Sequence, residues 1–221
     1  MIRIRNLKKV YRRGDEEVVA CDVTALDVER GEHVAIVGKS GLGKTTLLNI
    51  VSGIVRPTSG EVRVADVDVG SLGEAKRDRF RGEHIGIVFQ TFNLLVPFTA
   101  LENVLLGAVF AGGADATVRD RAVRLLGRVG LGDRIDHYPN QMSVGQVQRV
   151  ALCRALINGP DLILADEPLG NQDRETGAEA LRVLREIAEE EKRTVVMVTH
   201  DPASAELMHR TIDLSELRTA S

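Results

Sequence analysis

Apolar residues along the chain fall into two strand-like patterns. Four short runs, at residues 34–37, 85–89, 162–165 and 195–198, are apolar nearly throughout, which is typical of parallel strands covered on both faces. Residues 2–4, 18–28 and 62–69 instead alternate apolar and polar positions. Such alternation predicts antiparallel or edge strands with one buried face, so we expect an antiparallel layer beside a parallel sheet.

Helical spacing of apolar residues appears at 45–51, 99–110, 117–129, 143–158 and 174–190. The last of these joins two apolar runs and predicts a βαβ crossover. Between residues 90 and 160 the pattern is mainly helical. We therefore predict one α/β domain over residues 1–221, with a parallel core sheet, an N-terminal antiparallel β-layer and an inserted helical subdomain at about 91–158.

Composition changes this picture little. The chain has 221 residues, of which 43% are hydrophobic and 28% charged, an ordinary profile for a soluble globular protein. A net charge of −3 argues against non-specific nucleic-acid binding as the main role. The basic stretch at 76–81 is interrupted by Asp78 and flanked by Glu74 and Glu83. It predicts a solvated helix face rather than a site for a polyanion or a lipid headgroup.

The cysteines, the first residues and the apolar runs argue against a disulfide-rich, a secreted and a membrane-spanning protein. Cys21 and Cys153 lie far apart and form no CxxC, so neither a disulfide framework nor a zinc site is indicated. Residues 1–5 alternate charged and apolar side chains, unlike a signal peptide. The longest weakly polar run, 104–114, is too short to span a bilayer. We expect that the chain does not enter a membrane by itself.

Residues 38–45 read GKSGLGKT and fit the pattern G-x-x-x-x-G-K-[ST]. Glycine backbone lets consecutive N–H groups converge on phosphate oxygens where a Cβ would block them. Lys44 places a charge on the β- and γ-phosphates, and the Thr45 hydroxyl can bind Mg²⁺. A buried strand before the loop and a helix after it suit a nucleotide phosphate. The predicted nucleotide-binding residues here are Gly38, Lys39, Ser40, Gly41, Leu42, Gly43, Lys44, Thr45 and Thr46.

Two predicted strands end in polar side chains. Asp166 and Glu167 follow the run at 162–165, and open α/β sheets place their chemistry at such carboxyl ends. We expect Asp166 to hold Mg²⁺ through water and Glu167 to orient or deprotonate the attacking water. His200 follows the last parallel strand, where its imidazole could reach a γ-phosphate. A lone histidine is more often structural, and this segment alone leaves both interpretations open.

A capping-box spacing joins Ser143 and Gln146 at the start of a predicted helix. A helix N-terminus with a hydroxyl and the neighbouring Gly145 could also bind an anion. By local physics alone, a plain helix start is the simpler explanation.

In order and spacing, the motifs resemble those of the nucleotide-binding subunit of an ABC transporter, over nearly the whole chain. Residues 38–45 match its Walker A, Gln90 the Q-loop glutamine, and 142–146 the LSGGQ signature. Asp166 and Glu167 match the end of Walker B, 171–173 the D-loop, and His200 the switch histidine. Residues 89–95 and 101–104 resemble the branch that serves lipoprotein release, macrolide export and cell-division complexes.

The resemblance implies ATP and Mg²⁺ as cofactors, and ATP hydrolysis with three catalytic residues, Lys44, Glu167 and His200. It also implies that Tyr11 stacks on adenine, that Gln90 contacts the nucleotide, and that Mg²⁺ is held by Thr45, Gln90 and Asp166. The signature residues Ser143, Gly145 and Gln146 would bind the ATP of a second copy. The D-loop residues Asn171 and Asp173 would lie at the dimer contact.

It also implies partners. Two copies would close head to tail on ATP and drive an integral membrane permease on a separate chain, without nucleic acid. The subunit would then be cytoplasmic, peripheral on the inner face of the membrane through its permease. One alternative is an ABC-type ATPase that gates a membrane signalling or cell-division complex without moving a solute. A soluble ABC protein of DNA repair or translation is disfavoured, because the sequence shows no coiled-coil insertion and no second cassette.

Three residues depart from the family pattern. Val144 replaces a signature glycine, and its β-branch would disfavour a positive φ there. Leu169 and Gln172 replace a threonine and a leucine near the expected dimer contact. We expect these changes to affect dimer coupling more than catalysis.

The segment after Gln90 is unusually apolar, yet its Asn93 and Pro97 argue against regular structure. Surface loops with exposed apolar side chains mark partner sites. The segment therefore predicts a partner site, and the resemblance to the ABC family implies that the partner is the permease, received through Phe92 and Leu95 among others. The alternative is that its apolar side chains fold back into the helical core.

Overall fold

The computed structural model describes residues 1–14, 16–169 and 174–218. Its strands are β1 (Ile2–Arg13), β2 (Glu16–Val28), β3 (His33–Val37), β4 (Ser59–Val64), β5 (Val67–Asp68), β6 (Ile85–Val88), β7 (Leu162–Asp166), β8 (Thr194–Val198) and β9 (Arg210–Asp213). Its helices are α1 (Lys44–Val51), α2 (Glu74–His84), α3 (Ala100–Leu106), α4 (Ala116–Arg128), α5 (Val144–Leu156), α6 (Arg174–Glu190) and α7 (Pro202–Ala205).

The predicted antiparallel layer is a four-stranded sheet in the order β2-β1-β4-β5. Ile2 and Ile4 of β1 face Val64 and Val62 of β4, and all four are buried. Because every second side chain of these strands is apolar, one face of the sheet is buried and the other is exposed. A register shift between residues 9 and 10 interrupts the long β1–β2 pairing.

A second sheet, entirely parallel, has the order β6-β7-β8-β3-β9. Strands β3, β6, β7 and β8 are covered on both faces, as their continuous apolar runs predicted, whereas the edge strand β9 has two exposed and two half-buried residues. On β7, Leu162 and Leu164 face the antiparallel layer and α1, whereas Ile163 and Ala165 pack in the core formed with α3 to α6. The fold is therefore the predicted α/β arrangement of a parallel core, a β-layer and helices.

The predicted helices differ from the observed ones mainly at one end. Sequence spacing extended the third helix to residue 110, but α3 ends at Leu106. A Cβ on Gly107 would lie 2.5 Å from the Arg154 carbonyl oxygen, so glycine at this position allows the end of α3 to lie close to α5. Sequence analysis also missed β9 and the four-residue α7. The division into one domain with a subdomain at about 91–158 stays a prediction.

Cys21 and Cys153 are both buried and free. Burial raises the pKa of the Cys21 thiol to about 11, which leaves it protonated and unreactive at neutral pH. Among the described residues, no helix combines the length and apolar character needed to cross a bilayer.

Candidate nucleotide site

The loop between β3 and α1 is shaped by glycine. Gly43 caps α1 with φ 92° and no side-chain capping hydrogen bond, a conformation that other residues adopt only with strain. A Cβ on Gly43 would lie 2.1 Å from the Ala20 carbonyl oxygen of β2. The first N–H groups of α1 thus lack a side-chain cap, and a phosphate can accept hydrogen bonds from them.

Lys44 is buried at the start of α1. Its Nζ donates to the carbonyl oxygens of Gly38, at 2.7 Å, and Lys39, at 3.2 Å. An ammonium group has three N–H donors, so one is left for a phosphate oxygen. The predicted residues Gly38 and Lys39 therefore act here by positioning Lys44.

Thr45 and Asp166 are brought together although 121 positions separate them in the sequence. The Thr45 hydroxyl donates to Asp166 Oδ1 at 3.1 Å. Burial raises the pKa of the Asp166 carboxyl above its usual value, and the negative charge of Glu167 adds to this, while the Thr45 hydrogen bond and the Lys44 charge lower it. A hydroxyl beside a half-buried carboxylate is an oxygen donor set that suits Mg²⁺.

Glu167 is locked against the segment that follows β8. Its Oε2 accepts hydrogen bonds from the Thr199 hydroxyl and the His200 backbone N–H, both at 3.2 Å. Its Oε1 lies 2.8 Å from His200 Nδ1. An ionised carboxylate only accepts hydrogen bonds, so Nδ1 of His200 carries a proton in this pairing. His200 thus belongs to the same cluster as Glu167, which the sequence had left open.

The backbone of Glu167 is unusual as well. Its φ is +43°, in the left-handed region that residues other than glycine seldom adopt. Its N–H donates to the Val198 carbonyl oxygen at 2.9 Å. Such strain persists where several contacts fix the residue, and it is frequent at functional sites.

Lys44, Thr45, Glu167 and His200 line one cavity of about 520 Å³, whereas the predicted residues Gly38, Lys39 and Asp166 are not part of its lining. Its lining includes six loop and helix residues, Ser40, Gly41, Gly43, Lys44, Thr45 and Thr46, together with Gln90, Glu167 and His200. Val18, Val19 and Ala20 of β2 complete the lining. Sequence analysis missed these three, although consecutive apolar residues there break the alternation of β2. The ends of β3, β7 and β8 therefore meet over the phosphate loop.

Known proteins share this arrangement. Residues 21–170 match the family model described as ABC transporter. The chain is 41% identical over 218 residues to the lipoprotein-releasing system ATP-binding protein LolD of Chromohalobacter salexigens, covering 99% of this chain and 92% of that protein. The chain belongs to the ABC transporter family. It is an ATP-binding cassette, and ATP hydrolysis is the activity of this family.

Two other relatives extend the comparison. The cassette is 45% identical over 218 residues to the macrolide export ATP-binding/permease protein MacB of Syntrophobacter fumaroxidans, covering 98% of this chain and 30% of MacB. It thus spans about a third of the length of the MacB relatives that it matches. Its structure resembles a dimeric post-hydrolysis state of the ATP-binding cassette MJ0796 bound to ADP and Pi, with a TM-score of 0.89 and 40% identity, covering 99% and 94% of the two chains.

The signature segment of this ABC cassette begins α5. Ser143 Oγ accepts from the Gln146 N–H at 3.3 Å, and Gln146 Oε1 accepts from the Ser143 N–H at 2.9 Å, so the predicted capping box is confirmed. Val144 has no positive φ and is 61% exposed, so its β-branch causes no backbone strain. None of Ser143, Gly145 and Gln146 lines the cassette's own cavity.

Other predicted site residues lie outside the cavity lining. Tyr11 faces Val18 across the β1–β2 pair, is exposed, and has Lys9 Nζ 4.8 Å from its ring centre. Leu42 packs into the core beneath the loop, and Leu169 is half-buried against the helix-side core. The D-loop residues Asn171 and Asp173, with Gln172, lie outside the described residues.

The apolar segment after Gln90 divides into two parts. Phe92 is only 7% exposed, and Leu94 packs against the helix-side core. Leu95, Val96 and Phe98 are exposed by 48%, 56% and 37%. Leu95 also lines a separate, largely apolar groove of about 600 Å³ with Ile54, Phe89, Leu106 and Val109. The segment is therefore partly folded back and partly exposed, Phe92 is not a surface residue, and docking of a permease at the exposed part stays a prediction.

Proposed function

We propose that this cassette is the ATP-hydrolysing subunit of a transporter complex, in which ATP-driven dimerisation moves a membrane permease. The observation that carries the proposal is the shared cavity, in which Lys44 and Thr45 face Glu167 and His200. A phosphate-binding loop alone would indicate nucleotide binding. The addition of a locked carboxylate–histidine pair supports hydrolysis.

Each group has a role in phosphoryl transfer. Lys44 and the loop N–H groups bind the β- and γ-phosphates, while Glu167 orients or deprotonates the attacking water and His200 contacts the γ-phosphate. Thr45, Asp166 and Gln90 would hold Mg²⁺, since all three offer oxygen donors. The ion, when bound, neutralises charge on the phosphate oxygens. The base of ATP would extend past Val18 and Val19 toward Tyr11.

A second copy would complete the site. The signature residues Ser143, Gly145 and Gln146 lie outside their own chain's cavity, and two solved relatives of high similarity are dimeric cassettes. We propose that each signature helix contacts the ATP held by the other copy, with Asn171 and Asp173 at the contact between copies. Catalysis then requires closure, which couples hydrolysis to motion.

The permease would dock at the groove lined by Leu95. Three of its lining residues, Ile54, Leu95 and Val109, are apolar side chains exposed by 43–53%, as expected of a partner site. Phe89 and Asn93 of the same lining flank Gln90, so the groove and the nucleotide cavity adjoin one segment. LolD and MacB are named for lipoprotein release and macrolide export, and their permeases are the kind of partner that we propose. The cassette would be cytoplasmic and peripheral on the membrane.

Calorimetric ATP titration and steady-state hydrolysis, each with Mg²⁺ and with EDTA, test the proposal on the purified chain. We expect ATP binding in both conditions and hydrolysis with Mg²⁺ only. Light scattering should show an ATP-dependent dimer when hydrolysis is blocked. Absence of ATP binding, or hydrolysis that is insensitive to EDTA, would contradict the proposed function.

A further inference from the structure

We infer that Arg154 is a positioning residue that ties the docking groove to the signature helix, so that a change in one is transmitted to the other. This inference rests on the proposed function. Arg154 lies near the C-terminal end of α5, and the signature residues lie at the start of the same helix.

Arg154 holds two consecutive backbone carbonyls. Its Nη1 donates to the Asn93 carbonyl oxygen at 2.7 Å, and its Nη2 donates to that of Phe92. The planar fork of a guanidinium group suits two acceptors at once. Burial lowers the pKa of Arg154, so the charge is partly withdrawn from water and relies on these carbonyls.

The two residues that it holds have a strained backbone. Phe92 has φ +58° and Asn93 has φ +50°, two successive left-handed residues that are not glycine. Such a pair persists where the surroundings fix it. The Phe92 ring is buried, whereas Asn93 lines the groove. This turn therefore determines how residues 92–98, here called the groove segment, are presented at the groove.

The same turn begins two residues after Gln90, which lines the nucleotide cavity. Six residues before Arg154 on α5, the buried Gln148 donates its Nε2 to the Pro168 carbonyl oxygen at 2.6 Å, directly after Glu167. One helix therefore contacts the groove segment and the end of Walker B, and it begins with the signature. An α-helix is stiff over this length, so displacement at Arg154 moves the signature as well.

The groove segment has a second anchor that does not involve α5. Asn103 of α3 is buried, accepts from the Leu95 N–H at 2.8 Å, and donates to the Leu95 and Phe98 carbonyl oxygens at 3.0 and 2.9 Å. Loss of Arg154 should therefore leave the segment folded on α3 but released from α5. The expected defect is in coupling rather than in folding.

A matched control exists on the same helix. Arg149 donates to the Gly145 carbonyl oxygen at 3.4 Å and to that of Val129 at 3.1 Å. It does not line the groove. Arg149→Met thus removes the same charge from α5 without touching the groove segment.

The chain contains no tryptophan, so Val96→Trp adds a single reporter at a position that is 56% exposed on the groove segment. In this background, acrylamide quenching of the introduced tryptophan is measured with and without ATP and Mg²⁺. Quenching is compared among the parent, Arg154→Met, Arg154→Lys and Arg149→Met, with circular dichroism to check folding. Calorimetry gives the ATP affinity of each protein.

ATP should change the quenching constant in the parent and in Arg149→Met. In Arg154→Met this change should be lost. In Arg154→Lys the ATP-induced change in the quenching constant should lie between those of the parent and Arg154→Met, because one ammonium group cannot hold both carbonyls in fork geometry. If Arg154→Met does not fold, the comparison of Arg154→Lys with the parent is the test. An equal response in the parent, Arg154→Met and Arg154→Lys would overturn the inference.

Two further outcomes distinguish failure of this inference from failure of the proposed function. If the parent binds ATP but its reporter does not respond, the inference is wrong and the proposed function stands. If the parent does not bind ATP, the proposed function is itself overturned.

Discussion

Replacing Glu167 by glutamine should separate hydrolysis from every other property of the cassette. The carboxylate accepts from the Thr199 hydroxyl and the His200 N–H through one oxygen and faces His200 Nδ1 through the other. A glutamine keeps this shape. Its carbonyl oxygen can accept the first two bonds, and its amide can donate to Nδ1 once the imidazole proton moves to Nε2.

The expected effect of Glu167→Gln on stability is smaller than its effect on the rate of hydrolysis. Two hydrogen bonds to a charged group, about 1.5–3 kcal/mol each, become neutral bonds of about 0.5–1.5 kcal/mol. Loss of the charge also relieves repulsion of Asp166, whose pKa Glu167 raises. The free energy of unfolding should therefore fall by no more than about 3 kcal/mol, the difference between two charged and two neutral hydrogen bonds before the relief at Asp166 is subtracted. Loss of a general base lowers the rate by about 10²–10⁴-fold, which is about 3–5 kcal/mol of activation free energy.

Steady-state ATPase rates, ATP calorimetry and thermal unfolding of Glu167→Gln are compared with the parent. ATP binding should persist, and the ATP-bound dimer should accumulate in light scattering. Thr199→Val is the control, since it removes one hydrogen bond to the carboxylate and keeps the base, so its rate should fall far less. A Glu167→Gln protein that hydrolyses ATP at the parental rate would refute Glu167 as the base.

Four further predictions follow from the site and the groove. Lys44→Ala should abolish tight ATP binding in calorimetry, because it removes the ammonium held over the loop; unchanged affinity would contradict the phosphate-loop assignment. Gly145→Asp should block the ATP-dependent dimer in light scattering, because it sets a carboxylate against the γ-phosphate, and a fully active protein would make this segment only a helix start. Leu95→Ser should weaken co-purification with the permease and leave ATP affinity within about twofold, since Leu95 is exposed; intact co-purification would refute the docking site. Because burial raises the folded-state pKa of Asp166, its ionisation opposes folding, so stability from this group is lost as pH rises above its ordinary 3.8. Asp166→Asn should thus melt no lower than the parent at pH 7, with the difference shrinking as pH falls toward that value, while Mg²⁺-dependent hydrolysis disappears; a lower melting temperature at pH 7 would contradict this.

Local sequence was sufficient to predict the phosphate loop and the polar residues at the strand ends. Each is a continuous segment in which apolar residues make a buried strand and the next residues carry the chemistry, as at Asp166 and Glu167. Parallel strands place such ends on one edge of the sheet. This is why residues as distant as Thr45 and Asp166 could be assigned together before their 3.1 Å contact was seen.

What the sequence missed depends on contacts between distant segments. Val18 and Val19 line the cavity because β2 passes over the phosphate loop. Their consecutive apolar side chains break the alternation of the strand, but this local pattern does not show what they contact. α3 ends at Leu106, and the next residue, Gly107, lies close to the Arg154 carbonyl oxygen of α5, a contact between distant segments that the apolar spacing over 99–110 does not show. Burial of Phe92 likewise needs the left-handed turn that Arg154 holds. Hydropathy alone therefore assigned too many side chains of that segment to the surface.

The contact between Gly43 and Ala20 makes the phosphate loop dependent on a strand that carries no motif residue. With the loop backbone this close to β2, neither can shift without the other, and the antiparallel sheet acts as a brace for the first turn of α1. Residues 38–45 are therefore not a portable unit. If these residues were transferred to another β–α junction, the sequence motif would be kept, but the loop conformation would be lost unless a strand like β2 packed against it. Nucleotide binding should likewise protect the β2 amides from hydrogen exchange together with those of the loop.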